Sequence, residues 1–186
     1  MEFMATSGFL KGIENTVRGV VKRAVINHHR TSDTVLLFAT GQGSEHRAIE
    51  SADDSGLEVD LLGGAPGVRS KRFAPECGRE GTELDQANNA HLLALLGDAP
   101  PEERSGRYVC VAVLDRTGSD GTPEASPLVR GVAAGVILDA PRGSGGFGYD
   151  PLFLDEELGR TFAEISASQK NARSHRGRAF RALAER

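Results

Sequence analysis

Apolar side chains recur at a helical period from Phe9 to Ile26, at Phe9, Leu10, Ile13, Val17, Val20, Val21, Ala24 and Val25, with Lys11, Arg18, Lys22 and Arg23 among the polar positions. The pattern predicts a basic amphipathic helix. Docking on the chain's own core or on a second copy is the commoner use of such a helix; a membrane surface or a targeting signal is the rarer one. Asn27 to Asp33 is polar and reads as a linker, so residues 1–33 form an extension and 34–186 the main domain. Val35 to Ala39 is a short apolar run that predicts a buried strand, and Thr40-Gly41-Gln42-Gly43-Ser44 a turn after it.

The period changes repeatedly along the main domain. Leu57, Val59 and Leu61 alternate behind Asp53-Asp54-Ser55-Gly56, predicting a Ser-Gly turn and then a strand. Thr82 to Leu96 carries Leu84, Ala87, Ala90 or His91, and Leu92 to Leu95 along one side and predicts a helix ended by Gly97, with His91 part of its face. Tyr108 to Leu114 and Leu128 to Leu138 read as strands around a turn-rich segment, and Gly131 and Gly135 within the second predict a bulge or close packing. Thr161-Phe162-Ala163-Glu164 and Ser166-Ala167-Ser168-Gln169 both match the helix-start box and predict two short helices. Ser174 is placed to cap a last helix carrying Ala179, Phe180, Leu183 and Ala184. The fold class expected is α/β (α+β mixed): one long central mixed β-sheet flanked by helices.

At 186 residues the chain suits one domain with a real core. A net charge of -4 argues against a general nucleic-acid or membrane-surface binder, so any basic site is local. Cys77 and Cys110 have no metal spacing and fit a reducing compartment. No apolar run approaches a bilayer span and no secretory leader is visible, so the expectation is a cytoplasmic protein.

Three places carry candidate chemistry. Pro141 to Phe153 (PRGSGGFGYDPLF) holds four glycines and two prolines among three aromatic rings, which neither helix nor strand tolerates well. Backbone amides, the flat faces of Phe147 and Tyr149, and Asp150 before Pro151 suit a nucleotide; a glycine-rich turn with Phe147 buried is the plain alternative. Asp53 and Asp54 are paired carboxylates able to hold a hard cation or take a proton from water, or simply to cap a turn. His175 and Arg176 fall in the first turn of the last helix, where the helix dipole disfavours cations, and an anionic or carbonyl-rich ligand would give them a purpose. Lys71 and Arg72 would reach a phosphate or lie on the surface.

ATG at 39–41, ADDSGLEVDLLGGAPGV at 52–68, GGFGYDP at 145–151, TFAE at 161–164, QKN at 169–171 and SHRGRA at 174–179 together resemble the inosine triphosphate pyrophosphatase family. The resemblance implies Mg²⁺-dependent attack of water on the α-phosphorus of ITP, dITP or XTP, giving the monophosphate and pyrophosphate. It makes Asp54 the proton acceptor and metal ligand, with Asp53 a second metal candidate. It assigns substrate contacts to Thr40, Gly41, Ser55, Phe147, Gly148, Tyr149, Asp150, Lys170, His175 and Arg176. It also implies a homodimer with contact near 82–96, and no nucleic-acid or membrane partner.

The chain departs from the family in two respects. Gln42 and Glu45 stand where the family has Asn and a phosphate-contacting Lys, which weakens triphosphate binding electrostatically. Between Glu50 and Ala52 the family has several tens of residues more, including a metal carboxylate; Glu45, Glu50 or Asp53 would have to replace it. The alternative reading is therefore a catalytically impaired nucleotide-binding relative, or a truncated product without function.

Overall fold

The computed structural model describes residues 36–38, 49–75, 78–116 and 127–185. The expected helix at 9–26, the 40–44 turn, Gln42, Glu45 and Cys77 lie outside them. Among the described residues six strands form one sheet in chain order: β1 (Leu36–Phe38), β2 (Ile49–Val59), β3 (Ser105–Arg116), β4 (Leu128–Ile137), β5 (Phe153–Asp155) and β6 (Arg160–Thr161). Three α-helices among the described residues accompany them: α1 (Gly81–Leu96), α2 (Ala167–Arg173) and α3 (His175–Ala184). The α/β class with helices against one sheet is as expected, although every pairing among the described strands is antiparallel rather than mixed.

One sequence expectation fails at β2. Ser55-Gly56 is no turn, because the whole of Ile49–Val59 pairs with Arg116–Gly106, Ser55 standing opposite Cys110 and Gly56 opposite Val109. The strand ends at Val59, not beyond Leu61; residues 60–62 turn in a 3-10 helix closed by Gly63 at φ 62°, and Leu61 is exposed. A strand running through both acids places Asp53 and Asp54 on opposite faces.

The face bearing Asp53, Ser55, Leu57 and Val59 continues through Tyr108, Cys110 and Ala112 into Val129, Gly131, Ala133 and Ile137. Helices α1 and α3 pack on this face, and α2 packs against α3. Leu92 and Leu96 of α1 join Leu57, Val59, Tyr108, Ile137, Phe153 and Phe162 in the larger core, while Ala179 and Leu183 of α3 join Cys110, Ala112 and Val129 in a smaller one. Burying that many Leu, Ile and Phe side chains, at roughly 1.5–3 kcal/mol each, is what holds the helices to the sheet.

Gly131 fixes the approach of α3. A Cβ there would stand 2.0 Å from the His175 carbonyl oxygen and 2.5 Å from the Ala179 nitrogen, so the close packing expected at this glycine is helix against strand, and no bulge is needed. Gly135 does the same for the Phe153 ring and the Leu154 carbonyl. At the far end of α1, Gly97 donates its N–H to Leu93, and buried Arg104 donates Nε to Ala99 and Nη2 to Gly97 carbonyls at 2.7 and 2.6 Å. A cation there complements the negative end of the helix.

The second helix-start box is realised in full. Ser166 accepts the Gln169 N–H and the Gln169 side chain accepts the Ser166 N–H, opening α2. The first box makes only a turn: Glu164 accepts the Thr161 N–H at 2.7 Å, but Thr161 is already paired with Leu154 in β6. Ser174 closes α2 and caps α3 through the Gly177 N–H.

Candidate active site

The carboxyl end of the glycine loop, the first turn of α3, α2, α1 and the middle of β2 surround a cleft of about 360 Å³. Its size falls within the range of small-molecule sites. Ten of the residues expected at a site are described, and all line it: Asp53, Asp54, Ser55, Phe147, Gly148, Tyr149, Asp150, Lys170, His175 and Arg176. Thr40 and Gly41 lie outside the described residues. Lys71 is at the rim, 63 % exposed in its side chain and 3.4 Å from Asp85.

The glycine loop is a shaped loop, as its composition predicts, and Phe147 is its exposed tip, 66 % accessible and not buried. The loop is set from both sides. Asp150, buried, accepts the Phe147 N–H at 2.8 Å across Gly146, which has φ 72° and no room for a Cβ beside that carboxylate. From α1, Asp85 accepts the Gly148 N–H at 2.9 Å and Asn89 donates to the Gly148 carbonyl at 3.0 Å. Tyr149 donates its hydroxyl to the Ser70 carbonyl at 2.8 Å, and the Ser70 hydroxyl accepts the Leu57 N–H. One ring face of Phe147 therefore stands open at a fixed place, partly roofed by Lys170, whose Nζ lies 4.3 Å from the ring centroid.

Lys170 also forms an ion pair with Asp150. Burial raises the Asp150 pKa above the usual carboxylate range, and the Lys170 ammonium, the Phe147 N–H and the Tyr108 hydroxyl act against the rise. His175 stacks on Tyr108 with ring centroids 4.7 Å apart and planes within 12°. Burial pulls the His175 pKa down to about 3, helped by the nearby Arg176 and Lys170 charges, so the ring is neutral near pH 7. Its Nδ1 is buried without a hydrogen-bond partner among the described residues.

The two acids of β2 have separate surroundings. Asp53 is buried and accepts Nε–H of Arg176 at 2.8 Å, with weaker contacts from Ser55 Oγ and Cys110 Sγ. Burial, and next the Asp53 charge, push the Cys110 thiol up to about 12, so it is not a nucleophile near neutrality. Asp54 lies at the cleft with Oδ1 accepting the Ser55 N–H at 2.8 Å. Among the described residues, no group of three or more His, Cys, Asp or Glu side chains is arranged to hold a metal ion.

The Ham1 family model matches residues 20–186, beginning within the stretch that the sequence sets apart as an extension. This chain belongs to the Ham1 family. A dITP/XTP pyrophosphatase of Frankia alni is 54 % identical over 156 residues, covering 82 % of this chain and 73 % of the relative. One from Thermus thermophilus is 50 % identical over 134 residues, covering 72 % and 59 %. This Ham1 chain thus spans less than two thirds of the second relative. Among solved structures, the Staphylococcus aureus Ham1 protein aligns with a TM-score of 0.64 at 38 % identity, over 74 % of this chain and 65 % of that one. A nucleoside-triphosphatase / dITP/XTP pyrophosphatase of Mycobacterium abscessus aligns with a TM-score of 0.56 at 34 % identity, over 91 % of both chains.

Sequence reasoning missed four residues that shape the Ham1 cleft: Asp85, Asn88, Asn89 and Tyr108. Asn88 accepts the Phe73 and Ala74 N–H groups and donates to the Lys71 carbonyl, pinning the rim loop. Adjacent asparagines in mid-helix were the available signal, since they weaken a helix unless their amides bond elsewhere. Tyr108 gave none beyond strand alternation.

Proposed function

We propose that this chain hydrolyses non-standard purine nucleoside triphosphates, ITP, dITP and XTP, to the monophosphate and pyrophosphate. The observation that carries the reading is the meeting of an open aromatic face at Phe147, neutral His175, Arg176 and Asp54 in one cleft. The names of the relatives support the same reading.

The chemistry runs from base to phosphate. Phe147 stacks on the purine. Hypoxanthine and xanthine carry a carbonyl at position 6 where adenine carries an amino donor, so the ring N–H of His175 and the Arg176 guanidinium are satisfied by the former and meet another donor in the latter. Discrimination against ATP follows from that mismatch. Lys170, between Asp150 and Phe147, adds a positive charge beside the base and sugar. Asp54, at the cleft edge of β2, takes the proton of the attacking water.

Asp54 would also hold Mg²⁺. That ion is ordinarily bound by one or two carboxylates together with substrate phosphates, so a single hard oxygen donor at the cleft fits it without a protein cage. Bound there, Mg²⁺ would neutralise charge on the phosphate chain. Homodimer formation through the 82–96 region is carried over from the family and is tested by sedimentation.

Pyrophosphate release from dITP and dATP, with and without Mg²⁺, tests the activity. The expected result is metal-dependent release favouring dITP and abolished by Asp54→Asn. A rise in melting temperature with ITP but no product would instead identify an impaired nucleotide-binding relative, and neither response a product without function.

A further inference from the structure

Asp53 and Arg176 are 123 residues apart in sequence, and the fold joins them through a single charge-assisted bond at 2.8 Å. We propose that Asp53 is a positioning residue for base selection, aiming the Arg176 guanidinium at the six-carbonyl of the purine, and is not a metal ligand. The identity of the ligand rests on the function proposed above.

The two ends of the bond are unlike. The Asp53 side chain is fully buried and the Arg176 side chain is 41 % exposed in the cleft. Asp53 contacts the arginine at Nε, so that bond does not use the terminal nitrogens, which are the pair suited to a carbonyl acceptor. The carboxylate is held through Oδ2, while its Oδ1 is buried without a hydrogen-bond partner among the described residues. It sits on a central stretch of β2, opposite Ala112, with Ser55 Oγ at 3.4 Å and Cys110 Sγ at 3.7 Å also on Oδ2. An arginine has many rotamers and stands here at the positive end of α3, beside Lys170; without a buried anion beneath it, repulsion and rotamer entropy would both move the guanidinium out of the cleft. Asp53 is turned to Arg176 while Asp54 lies at the cleft beside it, so two adjacent acids serve two tasks, one set toward the base and one toward the phosphates.

The test compares wild type with Asp53→Asn, Arg176→Ala and the double variant, measuring kcat and KM for dITP and dATP, the Mg²⁺ requirement, and calorimetric binding of inosine monophosphate without metal. The expected result for Asp53→Asn is a KM for dITP and a dissociation constant for inosine monophosphate raised about tenfold, a smaller dITP/dATP preference, and kcat and Mg²⁺ requirement unchanged. In the Arg176→Ala background the same change should cost less than about twofold, since the pair acts as a unit. A lowered kcat with a raised Mg²⁺ requirement and intact base preference would overturn the proposal, as would additive effects. If the wild type cleaves nothing, the activity falls while inosine monophosphate binding still decides the role of Asp53; if it also binds nothing, both fall. Should Asp53→Asn fail to fold, the Arg176 Nε–H proton resonance of the wild type decides. It should stay in its hydrogen-bonded position when inosine monophosphate binds, and its return to a solvent-exposed position would refute the assignment.

Discussion

His175 enters the positive end of α3 as a neutral ring, and that choice has a consequence in acid. Its folded pKa is about 3 because burial, then Arg176 and Lys170, disfavour the proton, whereas in the unfolded chain it titrates near 6.5. Between those values the unfolded state binds more protons, so His175 contributes stability that is full above about pH 6.5 and is lost as pH falls toward 3. Urea unfolding of wild type and His175→Gln across that range should give a shallower pH slope for the variant. Lys170 holds the other buried charge in place: its side chain is 16 % exposed and that of Asp150 only 2 %. Lys170→Met should destabilise the protein by about 3 kcal/mol, because it leaves a buried carboxylate unpaired. The same variant should raise the Asp150 pKa further, so that the loss shrinks in acid as the carboxyl protonates, a trend that urea midpoints below pH 5 would reveal. The sequence marked both residues as candidates but could not supply their partners. A cation at a helix start signals that something must offset it, and only the fold shows that for Arg176 the offset is Asp53.

The elements divide according to whether their signal is local. The Ser166 box is complete within four residues and was legible; Ser166→Ala should cost about 1 kcal/mol in a denaturation curve and leave the cleft intact. The Thr161 box has the same sequence form but yields only a turn, since Thr161 is claimed by a strand partner and Ala163 packs against Gly143 and Gly145. The DDSG stretch failed as a turn for a related reason: a long antiparallel partner in β3 overrides the local preference of Ser-Gly. Gly131 shows the reverse, a local signal whose meaning is tertiary. Gly131→Ala places a methyl 2.0 Å from the His175 carbonyl oxygen, so either α3 lifts or β4 shifts. We expect a loss of about 3 kcal/mol or more. Inosine monophosphate binding should fall as well, because the first turn of α3 carries both His175 and Arg176. Ser166→Ala supplies the control, with lower stability and unchanged affinity.

At the scale of the molecule, one sheet face carries two helices with a cleft between them, and the glycine loop is bonded to α1 at Gly148 while its neighbours are bonded to α2 through Asp150 and Lys170. Residues drawn from 53–57, 70–71, 85–88, 108, 147–150 and 170–176 meet only when the whole described body is folded. A ligand for this cleft therefore binds the folded state and not the unfolded chain, and must raise global stability by linkage. At a hundredfold excess over its dissociation constant the gain is about 2.7 kcal/mol. For a chain of this length each kcal/mol moves the melting temperature by about 2–4 °C, so inosine monophosphate should raise it by roughly 5–10 °C. Adenosine monophosphate presents a donor where His175 and Arg176 offer donors. If it binds a hundredfold more weakly, the same concentration yields only about 0.4 kcal/mol, a shift of roughly 1 °C. Equal shifts from the two nucleotides would mean that the cleft grips sugar and phosphate without reading the base, and would remove Arg176 and His175 from the account of specificity while leaving Phe147 and Lys170 in it.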